Sequence, residues 1–200
     1  MSLELLGAFV VFAAVMLFTP GPNNVMLMTS GVNYGFFRTV PHMLGVSVGF
    51  ALMVFLVGVG LGSLFEIYPL LYDVLKYAGA AYLLYFAWVI ATSTPQQESG
   101  DRRPLTFIEG ALFQWINAKG WAIAVGAITT YAAFGRFPLN VIVLALIFAI
   151  LGMASSATWA LFGSGLTPLL RNAAAVRAFN VAMALLLVAS LYPVVAGAAR

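Results

Sequence analysis

Cysteine is absent from the 200 residues, so the chain can form no disulfide, no thiolate metal site and no cysteine nucleophile. Histidine occurs once, at His42, which excludes a histidine-based metal cluster. Charge is scarce: Asp, Glu, Lys and Arg make up 8% of the chain, against roughly 25% in soluble domains. The net charge of +3 is small and spread out, so neither nucleic-acid binding nor a polybasic lipid anchor is expected. No two carboxylates lie together inside an apolar segment and no serine–histidine–acid set is present, which leaves an enzyme without parts and calls for no cofactor. The N-terminus lacks the basic region of a signal peptide and its apolar run is too long for one, so it is read as a retained first span.

What the chain has is apolar surface: 63% hydrophobic residues and a mean hydropathy of +1.03. That combination defines an integral membrane protein. A span needs about 20 mostly apolar residues, and six segments qualify. They run from about Leu3 to Ser30, Val40 to Leu64, Leu70 to Thr92, Phe107 to Ala133, Pro138 to Phe162 and Arg177 to Ala198. A polar link, 31–39, follows the first. The longest polar stretch, 93–106, joins two halves, and a loop over 163–176 precedes the last span. Gly45 with Gly49, and Gly58 with Gly62, repeat at the spacing that lets helix backbones approach closely; they fit packing within the chain or a dimer face. Asp73 and Lys76, three apart, share a helix face as an interfacial ion pair.

The first span is interrupted. Thr19-Pro20-Gly21-Pro22-Asn23-Asn24 holds two prolines and a glycine in three consecutive positions, and no α-helix continues through them. Non-helical backbone at membrane depth is tolerated where it is packed in protein or lines a polar cavity. Asn23 and Asn24 then open a second half-helix whose free N–H groups and positive dipole end can receive an anion. The alternative is a kink that only shapes packing.

The chain also resembles itself. Residues 76–81 align without gaps on 177–182, Pro69-Leu70-Leu71 on Pro168-Leu169-Leu170, and the Pro20–Asn24 break falls opposite Asn117–Gly120. This order predicts an all-α membrane protein of six transmembrane helices, built as two three-helix repeats (1–92 and 107–200) joined by 93–106. Three helices per repeat makes the second inverted, a pattern of secondary transporters whose midplane breaks mark the substrate site. Five basic residues (Arg38, Arg102, Arg103, Arg171, Arg177) fall on one side against three (Lys76, Arg136, Arg200) on the other, which predicts both termini outside.

Lys119 is the ionisable residue nearest the membrane centre, with no carboxylate at its depth. A buried ammonium needs a partner, and a substrate carboxylate could supply it; alternatively the span begins near Ala111 and Lys119 snorkels to the interface. Gln114 and Asn117, three apart, either add hydrogen bonds to a ligand or glue helices together. Ser47 is the only polar side chain deep in the second span, and Ser155, Ser156 and Thr158 lie late in the fifth.

The hexapeptide Thr19–Asn24 resembles the signature of the LysE/RhtB family of bacterial amino-acid exporters. The likeness continues through residues 35–38, Gly45 with Gly49, residues 79–83 with Ala87-Trp88, and Gln114-Trp115-Ile116-Asn117-Ala118-Lys119, nearly the whole chain. The branch of cysteine and O-acetylserine exporters is most similar in the first and third spans. The resemblance implies export of small amino acids or their derivatives across the inner membrane, and it marks Pro20, Gly21, Pro22, Asn23, Asn117 and Lys119 as motif positions. Two departures stand out. Ala118 replaces a proline common in the fourth helix, which weakens the expectation of a full break there. The second span reads Gly49-Phe50-Ala51 where many members carry an acidic residue or histidine, so a proton-coupling role does not transfer.

Together these readings give a multi-pass inner-membrane exporter of small neutral amino acids or close derivatives. Its expected site is Pro20, Gly21, Pro22, Asn23, Asn24, Gln114, Asn117 and Lys119. The proton is the candidate coupling ion, a homodimer the candidate assembly, and the lipid bilayer the surroundings. An exporter of another small solute, a passive channel and an accessory membrane subunit are the alternatives.

Overall fold

Proline and glycine divide the first apolar run where the sequence places them. In the computed structural model, α1 (Leu3–Phe18) stops at Thr19 and α2 (Pro22–Tyr34) restarts with proline at its first position, the two axes bent by 55°. Proline suits that position because the missing N–H is one the helix start leaves free anyway. The structure describes residues 3–61, 67–92, 103–132, 136–170 and 172–191, leaving aside the side chains of 69, 71–73, 75 and 76. Gly62, Glu66, most of the 93–106 connection, and the Asp73–Lys76 side chains therefore lie outside the description.

The remaining elements are α3 (Phe36–Gly58), α4 (Pro69–Ala91), α5 (Phe107–Phe113), a 3-10 turn (Gln114–Ile116), α6 (Ala118–Tyr131), α7 (Leu139–Leu166) and α8 (Ala173–Ala189). No strand occurs among the described residues. α3 and α7 are each long and apolar enough to cross a membrane, as are α1 and α2 taken as one broken span; Tyr77–Ala91 and α8 are shorter apolar helices.

Several expected boundaries move. The polar link over 31–39 contracts to Gly35, whose φ of 81° lets α2 and α3 meet at a single residue. α2 extends to Tyr34 because its polar residues have partners inside the chain: Asn33 exchanges amide hydrogen bonds with Asn180 of α8 (3.0 and 3.2 Å). α7 runs a turn past Phe162, since Gly163 packs on α2 instead of opening a loop. α8 begins at Ala173, where the Asn172 side chain caps it by accepting from the Ala175 N–H (2.7 Å).

Helix packing is close. Gly45 and Gly49 lie against the backbone of Phe107 and Ala111 in α5, so this glycine pair serves packing within the chain. α2 crosses α7 where a Cβ on Gly31 would collide with the Ala160 carbonyl oxygen and lie 3.0 Å from the Ser164 nitrogen. On the α7 side, a Cβ on Gly163 would strike the Met28 carbonyl oxygen. Gly31→Ala is therefore expected to lower stability by about 1–3 kcal/mol, since backbone cannot yield as a side chain does. The control is Gly7→Ala, where nothing lies within 4 Å. Thermal unfolding in detergent compares the two; equal midpoints would show that the α2–α7 contact is loose.

The polarity of the fold is that of a membrane protein. Trp88, Ile108 and Ile150 are 64%, 64% and 69% exposed on the outside, while Thr39, Gln114 and Asn180 are wholly buried. One apolar cluster joins Phe9, Phe50 and Phe148, edge to face with ring centres 5.1–5.2 Å apart. A second cluster packs Met26 and Met28 of α2 against Leu83 and Ala87 of α4 and Leu187 of α8.

Candidate functional site

A helix end leaves backbone carbonyls without intrahelical partners. At the end of α1 these carbonyls are met by side chains from three other helices. Asn24 of α2 donates through Nδ2 to the carbonyls of Leu17 (3.0 Å) and Thr19 (2.9 Å). Ser155 of α7 donates through Oγ to Leu17 (2.8 Å). Lys119 of α6 donates through Nζ to Thr19 (2.7 Å) and Pro20 (3.4 Å). An ammonium at this end of a helix also opposes the negative pole of its dipole. Lys119 thus differs from the expected unpartnered ammonium: backbone carbonyls, invisible to a search for acidic side chains, complete its surroundings. Gly21 makes room for it, since a Cβ there would lie 2.9 Å from both Cδ and Nζ of Lys119.

The second interruption is real although Ala118 replaces a proline. α5 ends at Phe113, a 3-10 turn carries Gln114–Ile116, and Asn117 is extended (φ −86°, ψ 99°) before α6 begins. Side chains stabilise this break. Gln114 Nε2 bonds back to the Gly110 carbonyl (2.9 Å), and Trp121 Nε1 takes the Trp115 carbonyl (2.8 Å). Gln114 and Asn117 consequently do not share an α-helical face as their spacing suggested; one sits on the turn and the other at the break.

The two breaks meet. Asn23 Nδ2 donates to Gln114 Oε1 (2.9 Å) and Gln114 Nε2 donates to Asn23 Oδ1 (3.2 Å), a reciprocal pair across 91 residues. Beside it, Gly21, Pro22, Asn23, Asn24, Asn117 and Lys119 line one cavity of about 40 Å³. Pro20 lies outside its wall, and Gln114 reaches it only through Asn23. Asn117 is buried with its Oδ1 unpartnered, an acceptor that folding leaves unsatisfied. The volume suits a few waters at roughly 10–15 Å³ each and is too small for an amino acid. Phe50 and Ile123 connect its wall to the Phe9–Phe148 cluster.

Three serines belong to this site and were not assigned to it from sequence. Ser155 caps α1, and Ser47 and Ser156, with oxygens 3.4 Å apart, line the cavity. The available signal was their polarity within apolar spans.

Two interrupted helices meeting at a small cavity, in an apolar-surfaced bundle, define a membrane translocator, not an enzyme. The chain belongs to the family of LysE type translocators, whose model matches residues 14–190. It is similar to the cysteine/O-acetylserine efflux proteins of Escherichia coli O157:H7, Escherichia coli strain K12 and Shigella sonnei strain Ss046. Each is 33% identical over 190 residues, covering 94% of this chain and 96% of the relative. No solved structure matches the chain.

Proposed function

We propose that this protein exports small neutral amino acids or close derivatives, of the cysteine and O-acetylserine kind, across the bacterial inner membrane. The observation that carries this reading is the meeting of two helix breaks, with Lys119 and Asn117, whose Oδ1 is unpartnered, among the residues lining one cavity. A zwitterion needs a cation or N–H groups for its carboxylate and acceptors for its ammonium, and both kinds of group are there. In the transport cycle the substrate carboxylate takes the place of a carbonyl on Lys119.

The architecture that accompanies this function is six spans in two inverted repeats. Its support is the matched packing of α3 on α7 and α4 on α8, together with an interruption in the leading helix of each half. Proton coupling and a homodimer complete the proposal. The test is purified protein in liposomes with a panel of labelled amino acids, with and without an imposed pH gradient. Movement of cysteine or O-acetylserine that the gradient accelerates supports it; no amino-acid movement under either condition overturns it.

With both termini outside, single cysteines replacing Glu98 and Asn172 should be protected from an impermeant thiol reagent in intact cells, and one replacing Glu66 should label. The natural chain has no cysteine to give background. Labelling at position 98 would reverse the orientation, and labelling at both 66 and 98 would remove the repeat.

A further inference from the structure

A second, larger cavity lies away from the helix breaks, toward the Gly35 turn. Its volume is about 400 Å³, within the range of small-molecule sites and ample for an amino acid. α2 links the two cavities: Asn23 and Asn24 line the small one, and Met26, Thr29, Ser30 and Asn33 line the large one. α3 does the same with Val46, Ser47 and Phe50 against His42. The two spaces are therefore stacked along the α2–α3 hairpin. Next to their boundary stands the Asn23–Gln114 pair, with Gln114 bonded to Gly110, the residue on which the His42 ring lies.

The wall of the large cavity holds groups that folding leaves unused. His42 is 1% exposed and neither ring nitrogen has a hydrogen-bond partner. Thr29 is 5% exposed and its Oγ1 is also unpartnered. Buried polar atoms left in this way lower stability unless something meets them. At another part of the wall are a fixed cation and anion. Arg103 forms a bidentate pair with Glu109 (2.7 and 2.9 Å), and Glu109 closes a capping box with Thr106 at the start of α5. The Glu109 hydrogen bond holds the Arg103 guanidinium above its ordinary pKa.

We propose that this cavity is a separate acceptance site for the zwitterion of a small neutral α-amino acid, which it holds before the site at the breaks. Arg103 receives the α-carboxylate, Glu109 receives the α-ammonium, and His42 and Thr29 hydrogen-bond the polar side chain of the ligand. The assignment rests on the transport reading above, and it adds a site to which that reading gives no role. No covalent step is involved; one ion pair opens and two form.

The cysteine-free chain permits a local test with L-serine as the probe. Thr29→Cys is placed in the large cavity and Ser155→Cys in the small one, each in the otherwise intact protein. A small cationic methanethiosulfonate reagent should modify position 29, and L-serine should slow that reaction. N-acetyl-L-serine and L-serine methyl ester, each lacking one charge, should not. Glu109→Gln keeps the capping box, since glutamine serves in it as well as glutamate. It should raise the L-serine concentration needed for protection about tenfold to hundredfold, the loss of one charged hydrogen bond.

His42→Leu should also raise that concentration while leaving the thermal midpoint unchanged or higher, because an unpartnered imidazole is removed. A purely structural histidine would lower the midpoint when replaced and spare the protection. An unreactive position 29, or L-serine protection at position 155 alone, overturns the acceptance site while leaving export intact. Protection at position 29 that Glu109→Gln and His42→Leu do not alter overturns the assigned contacts. Failure of every labelled amino acid in the liposome assay instead overturns the function itself.

Discussion

Lys119→Met should insert and fold, and it should lose transport of any substrate carrying a free carboxylate. Methionine keeps an apolar stem of similar length and removes the ammonium. The fold survives because the Leu17 and Thr19 carbonyls keep Asn24, and Leu17 also keeps Ser155; only Pro20 loses its sole observed donor. A charged hydrogen bond is worth about 1.5–3 kcal/mol, so binding should weaken about tenfold to hundredfold. Lys119→Arg should keep part of it, because the charge remains while its geometry changes. The deciding measurement is binding of an amino acid against its carboxamide in all three proteins. If wild type and Lys119→Met discriminate equally, the carboxylate is read by the N–H groups at Asn23 and Asn24 instead.

The paired change Pro20→Ala with Pro22→Ala should also abolish transport, by a different route. Alanine favours a helix interior by about 3 kcal/mol over each proline, and both changes act on one short break. The 55° bend would then compete with a continuous helix over 3–34. Straightening draws the Leu17 and Thr19 carbonyls into the helix ladder and away from Asn24, Ser155 and Lys119. The protein should still reach the membrane, since nothing polar has been added. Normal transport by a fully inserted double variant would assign the prolines to packing alone.

These two expectations differ in how much of their basis the sequence carried. The first break was legible because proline and glycine act through their own backbone chemistry, which needs no neighbour. The second break was less so. With Ala118 in place of proline, it depends on Gln114 folding back onto Gly110 and Trp121 onto Trp115, contacts that local propensity does not encode. Lys119 was found from its isolation among apolar residues, but its partners were not. They are backbone carbonyls 99 and 100 residues away, and every residue has a carbonyl. The Asn24 side chain turns back to cap α1, a contact that was not legible because a sequence does not tell which side of a helix start an amide turns toward. His42 was read only as too few histidines for a metal; its importance lies in the two nitrogens that burial leaves without partners. The end of α7 moved by a turn because Gly163 proved to be a packing contact against Met28, which hydropathy alone does not reveal.

The capped end of α1 has a consequence for the proposed transport cycle. Its donors come from both halves of the chain: Asn24 from the first, Ser155 and Lys119 from the second. Any movement of one half against the other must break the bonds that cross between them, at roughly 1 kcal/mol for a neutral one and up to about 3 for the charged one. A carboxylate arriving at Lys119 offers a replacement for the strongest of these; water offers a poorer one. Under the proposed function, the loaded protein would therefore shift shape more readily than the empty one. Under the proposed proton coupling, the membrane's ion gradient would then be drawn on only when there is cargo to move.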